Sequence, residues 1–302
     1  MSDRPRFGVL LPTTVVGSYP VVRGRDLQSF LDPARFSVRV AVEDQVAAGI
    51  DIISDGQVRG TMIESFTSKI PGIRGQDVIG KVQPAPGPLT ARDVKYALSR
   101  SKMVKGIITG PSSIAHGLHI STPVYRDRGE LILDLAVALA HEAKILSGLG
   151  ITILQVDEPI FSTGIADIGL GRKAIELVTG KAGVPTAMHV CGDISGIVDE
   201  LLKFPVDILD FEFSRNPKNL GVFGTRDLGR KMIGFGCVDS TTETVESVGE
   251  IRAGIERGIE VFGPGSLLID PDCGLRMRSR TAASAKLTHM VEAVRQIRGG
   301  IT

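Results

Sequence analysis

Tryptophan is absent from the 302 residues, and aromatics of all kinds make up only 5%. A site that stacks a flat cofactor between aromatic rings therefore has few residues to build it from. Cysteine is nearly as scarce: Cys191, Cys237 and Cys273 are an odd set in a long chain, which argues against a disulfide framework. Charge of one sign is lacking too. Thirty-five Lys+Arg face 34 Asp+Glu, a net of +1, so no overall basic field draws in nucleic acid or an acidic membrane surface. No apolar run reaches the roughly 18 residues of a membrane span. The longest apolar helical pattern, 130–146, carries Asp134, His141, Glu142 and Lys144. Arg4 and Arg6 precede a short apolar run at 7–11, but Pro12 interrupts it too early for a secretory signal, so a cytoplasmic location is expected.

What is present is alternation. Short β-rich runs at 13–18, 50–54, 104–109, 151–156, 186–190, 206–212, 232–238 and 266–269 are separated by helix-period stretches. The clearest of these are 39–48, 131–146, 197–202, 245–257 and 282–297, with Gly148 and Gly299 placed as C-caps. Eight strands with helical connections fit a (β/α)8 barrel of 1–302 as a single domain, though an open doubly wound sheet alternates in the same way. The Pro/Gly-rich segment 71–90, with a β-run at 78–82, fits a hairpin-like insertion better than a core strand.

Polar residues gather at the C-terminal ends of these strands, where both architectures place active sites. His189 and Cys191 lie two apart on one strand and so share a face. Cys273 ends another strand in D-P-D-C-G, and Glu212 is a carboxylate inside the apolar run F-E-F. Two thiolates and an imidazole are a zinc donor set, with Glu212 as the fourth ligand. Cys237, in an apolar strand, reads as core. Asp157 and Glu158 are adjacent in Q-V-D-E-P, so at most one faces the pocket, where it can bind an ammonium group or act as a base. Gly17 and Ser18 can offer N–H groups and a hydroxyl to a carboxylate. The run G-L-G-R-K-A at 169–174 matches a loose dinucleotide pattern, but it follows no strand and is set aside.

Taken in order, G-S-Y-P, D-G-Q, T-G-P, Q-V-D-E-P, H-V-C-G, Glu212 and D-P-D-C-G-L resemble the C-terminal catalytic barrel of the cobalamin-independent methionine synthase family, in its short single-domain form. The resemblance implies a (β/α)8 barrel and zinc-dependent methylation of the thiol of L-homocysteine. It places the zinc ligands on His189, Cys191, Glu212 and Cys273, and the homocysteine contacts on Gly17, Ser18, Gln57 and Asp157. It also implies departures from the long form. Gln57 stands where the long form has Glu, and Gly117 is near the position of a folate-packing Trp. Thr241 takes the place of a His thought to protonate the leaving folate nitrogen, and the N-terminal half is missing. Those absences point to a methyl-corrinoid donor, methylcobalamin or a methylated corrinoid protein. The alternatives are a methyl-tetrahydrofolate or pterin donor, or a corrinoid:coenzyme M-type zinc thiol methyltransferase.

Overall fold

The computed structural model describes residues 7–24, 32–224 and 226–301, so Arg4 and Arg6 fall outside it. Six strands form one parallel sheet in sequence order: β1 (Lys105–Thr109), β2 (Ile153–Asp157), β3 (Thr186–Val190), β4 (Ile208–Glu212), β5 (Met232–Gly236) and β6 (Leu267–Asp270). Parallel bridges Thr13–Ile269, Thr14–Ile52 and Ile53–Val104 carry the pairing from β6 through two short segments back to β1. The eight segments thus close into a barrel, and the open-sheet alternative is excluded.

The first two segments pair over less than the expected 13–18 and 50–54. In the first, the cause lies in where its carbonyls point: Val15 O accepts from Lys105 Nζ at 2.9 Å and Val16 O from Gln155 Nε2 at 2.8 Å. Side chains rising from the barrel interior thus take over from the ladder. Ladder bonds hold the part that remains, with Thr14 N–H donating to Ile269 O at 2.8 Å and Ile52 N–H to Thr13 O at 2.9 Å.

The major helices are α1 (Pro33–Ala48), α2 (Ala91–Leu98), α3 (Arg128–Gly148), α4 (Ile168–Thr179), α5 (Val248–Phe262) and α6 (Arg280–Ile301). Pro33 opens α1 and the left-handed Gly49 (φ 83°) closes it, while Ser247 and Glu250 form a capping box on α5. Two expected caps are corrected. Helix α3 runs through Gly148 and the left-handed turn falls on Gly150 (φ 83°). Helix α6 continues past Gly299, because its last turns are docked through Arg298 onto Leu10 O, Leu11 O and Asp51. The set-aside G-L-G-R-K-A run lies within α4. The 71–90 insertion does contain a hairpin, Ile73–Arg74 against Asp77–Val78, joined in parallel by His119–Ile120. Its paired part is shorter than the expected 78–82.

Side chains that alternate along the strands fill the barrel in tiers. Ile52, Ile153, Ala187, Ile208, Met232 and Leu268 make an apolar plug at the N-terminal end. One step up, buried Lys105, Gln155, His189, Asp210 and Asp270 face inward. The outward residues of the same strands, such as Leu154, Val156, Met188 and Leu209, join the larger core beneath the helices.

Closure also depends on Asp51. Its Oδ2 accepts from Thr13 N–H at 2.8 Å, Thr13 Oγ1 at 2.9 Å and Arg298 at 2.6 Å. Asp51→Asn should lower stability by about 1–2 kcal/mol, read as a shifted denaturation midpoint with an unchanged slope. An unaltered midpoint would mean closure does not use this carboxylate.

Candidate metal centre and active site

The barrel mouth brings three of the four expected ligands together. One donor atom each of His189, Cys191 and Cys273 lies within a common 4.8 Å. His189 is the last inward-facing residue of β3, and Cys191 continues that face just beyond the strand. Cys273 arrives from the loop after β6, with its sulfur 3.9 Å from that of Cys191. The bond from Cys191, together with the nearby ring, sets Cys273 well below the ordinary thiol range, and Cys191 is pushed above it by that bond and by burial.

His189 is oriented from behind. Its Nδ1 stands 3.3 Å from Asp210 Oδ2, with both side chains 2% exposed. Burial disfavours charge on the ring, but the Asp210 carboxylate outweighs it. Both ring nitrogens are buried, and among the described residues neither has a hydrogen-bond partner. A buried imidazole with a carboxylate beside one nitrogen and no hydrogen bond on either, next to two sulfurs, fits a thiophilic ion such as zinc.

Glu212 ends β4 and is 6% exposed. It stands outside the compact group of three but close enough to be influenced by it. Burial, then the negative charge at Cys273, raises its carboxyl above the usual range. Asn216 Nδ2 holds its Oε2 at 2.5 Å. Buried Asn219 ties the neighbouring loop in, donating to both Gly192 O and Glu212 O at 2.9 Å. Asp272 fixes Cys273 relative to Glu212, accepting backbone N–H groups of Phe213, Ser214 and Arg215 at 2.7–3.0 Å.

The paired carboxylates separate as their strand positions require. Glu158 turns out of the barrel and is fully buried, accepting from Ser112 N–H, Ser113 N–H and Ser113 Oγ at the start of the short helix Pro111–His116. Asp157 faces in, opposite His189 in the β2–β3 register. Burial raises its carboxyl to about 6, against the pull of His189 and Gln155.

The remaining expected residues form one corner of the mouth. A Cβ on Gly17 would come within 2.6 Å of Gln57 Oε1, so the Gln57 side chain lies over that glycine. Gln57 itself has φ 43°. Ser18 O accepts from Leu275 N–H at 2.8 Å, which sets Ser18 against the loop that carries Cys273. Thr241 is exposed, and both its N–H and its Oγ1 bond Asp239 Oδ1 at 2.7 Å. Cys237 is core, as expected, though it lies just beyond β5.

Residues 11–296 match the family described as cobalamin-independent synthase, catalytic domain. The chain belongs to the cobalamin-independent methionine synthase family. It is thus a member of an enzyme family. It is 45% identical over 306 residues to the methionine synthase of Methanothermobacter marburgensis, covering 93% of this chain and 98% of the relative. Against the methionine synthase of Methanocaldococcus jannaschii it is 43% identical, covering 95% and 99%. In fold it is similar to a B12-independent methionine synthase from Shewanella in complex with selenomethionine, with a TM-score of 0.84, 22% identity, and coverage of 97% and 99%. A methyltransferase from Methanosarcina mazei shares the fold at a TM-score of 0.65 and 14% identity, covering 95% and 94%. Among the described residues, no helix is long and apolar enough to cross a membrane.

Lys105, Gln155, Asp210, Asn216, Asn219 and Asp272 were not singled out from the sequence. A signal existed for four of them. Gln155 and Asp210 stand two residues before Asp157 and Glu212 on the same faces, Asp272 sits inside D-P-D-C-G, and Lys105 is a charge opening an apolar strand. Gly274 shows how tightly the corner is built, because a Cβ there would meet Ser18 Oγ at 2.0 Å. Gly274→Ala should therefore lower stability by about 1–3 kcal/mol, and adding Ser18→Gly should restore most of it in thermal melts. No rescue would mean the two do not press on each other.

Proposed function

We propose that the barrel, as a single domain of residues 1–302 in the cytoplasm, transfers a methyl group to the thiol of L-homocysteine to give methionine. The observation that carries this reading is a soft-metal donor set beside a buried acidic group: His189, Cys191 and Cys273 share a site with Asp157 on the neighbouring strand. His189, Cys191, Cys273 and Glu212 would hold the zinc. A bound zinc ion lowers the pKa of a coordinated thiol, ordinarily near 8.5, so that the sulfur is a thiolate at neutral pH. Two cysteine sulfurs and a carboxylate make the site electron-rich, which favours a nucleophilic substrate sulfur. Asp157 takes the substrate ammonium, while Gly17, Ser18 and Gln57 line the opposite side. With its ammonium and thiol both fixed, the substrate presents its sulfur in one orientation for in-line attack on the methyl carbon. A coenzyme M-type thiol has no ammonium and leaves Asp157 without a role.

For the donor we infer a methyl-corrinoid, presented on a corrinoid protein. An N-methyl folate or pterin leaves as a strongly basic nitrogen unless it is protonated, whereas a corrinoid needs no proton. Position 241 supplies none. Burial works against ionisation of Asp239, but its bonds from Thr241 hold the carboxyl below the usual range, so it carries no proton at neutral pH. The family's description as cobalamin-independent lends this donor no support, and the inference rests on the side chains alone.

The test of the metal assignment is a titration. Wild type should bind one zinc per chain and exchange a ligand for homocysteine sulfur. Cys273→Ser should lose both zinc and activity, and stoichiometric zinc with full activity in that variant would overturn the assignment. The donor is tested apart from the metal. Methylcobalamin should support turnover at high KM, because a carrier would normally raise its local concentration, and methyl-tetrahydrofolate should give little. Efficient turnover with the folate would overturn the corrinoid reading and leave homocysteine methylation standing.

A further inference from the structure

The tier beneath the mouth contains a run of hydrogen bonds that the reading above leaves unused. Lys105, Gln155 and Asp157 are 2%, 0% and 7% exposed. Lys105 Nζ donates to Val15 O at 2.9 Å and to Gln155 Oε1 at 2.6 Å. Gln155 Nε2 then donates to Val16 O at 2.8 Å and to Asp157 Oδ1 at 2.7 Å. The chemistry of the partners fixes which way this amide points. An ammonium has donors only, so it must face the amide oxygen; a carbonyl and a carboxylate accept only, so they must face the NH2. Turning the amide over would set donor against donor and acceptor against acceptor in a place water does not reach.

We propose that Lys105 and Gln155 are positioning residues that make Asp157 selective for an amino-bearing thiol. Lys105 orients the Gln155 amide, and Gln155 binds Oδ1 of Asp157. That leaves Oδ2 to meet the substrate ammonium in one direction. Val15 O is held by Lys105 itself, so the segment carrying Gly17 and Ser18 keeps that tie when Gln155 is replaced, and the amide's effect on substrate passes through Asp157. Specificity for the amino group is then set from below the pocket, by residues that do not touch substrate.

This rests on the homocysteine reading of Asp157, and the experiment separates the two. Zinc-loaded protein is assayed for its homocysteine KM and for inhibition by 4-mercaptobutanoate, which keeps the thiol, chain and carboxylate but has no ammonium. Gln155→Met removes the amide. Gln155→Glu keeps the size and an acceptor for Lys105 but has no N–H to give Asp157, so it serves if the first variant fails to fold. Both should raise the homocysteine KM about tenfold and leave 4-mercaptobutanoate binding as in wild type, so that discrimination between the two thiols falls by the same factor. Equal weakening of both thiols, or unchanged discrimination, would overturn the positioning role. Asp157→Asn is the reference: if it fails to reduce discrimination, the reading of Asp157 itself falls.

Discussion

Closure of the barrel is the constraint on which the rest depends. The ladder from β1 to β6 is a curved sheet with two edges until the segments at 13–14 and 52–53 join them. Those segments are too short to be strong strands, and they are secured from outside by Asp51 and Arg298 and from inside by Lys105 and Gln155. Once the ring is closed, residues on strands far apart in sequence must point at a common axis. His189 and Cys273, 84 residues apart, meet for that reason.

The second consequence is a polar interior. The middle tier of such a barrel is ordinarily filled by branched aliphatic residues. Here it holds a lysine, a glutamine, a histidine and two aspartates, all nearly or fully buried. Buried charge opposes folding unless it is matched, and this tier is matched unevenly. The Lys105–Gln155–Asp157 side is joined by hydrogen bonds, whereas among the described residues Asp210 and Asp270 have no hydrogen-bond partners and burial holds Asp270 well above the carboxylate range. Local rules of core composition are broken directly under the reactive groups, where a functional site is expected to break them.

Much of this was legible in the sequence, because the same alternation that makes a strand also sorts its side chains. His189 and Cys191 were separable from ordinary core residues by their two-residue spacing, and the adjacency of Asp157 and Glu158 required that they part. What the sequence did not carry was partnership across strands. Nothing in K-G-I-I-T says that Lys105 reaches Gln155, since the residues become neighbours only through the β1–β2 pairing. The shortness of the first segment was hidden for a related reason: β-propensity is present over 13–18, but side chains from other strands claim the carbonyls of Val15 and Val16. Glycine at 299 looked like a helix end until the docking of Arg298 extended the helix past it.

The two halves of the tier also divide the work at the mouth. Asp210 backs His189 on the metal side, while Gln155 backs Asp157 on the substrate side, and Lys105 lies close enough to Asp270 to offset part of its charge as well. A thiolate-forming site needs negative ligands, and an ammonium-binding site needs a carboxylate, so both functions crowd anions into one barrel. Lys105, an interior cation one tier below the mouth, answers part of that crowding without entering the pocket. An ammonium at the mouth itself would compete with the substrate's own for Asp157. Setting it one tier down, behind an amide that passes on its polarity but no net charge, orients the carboxylate and leaves its outer oxygen to the substrate.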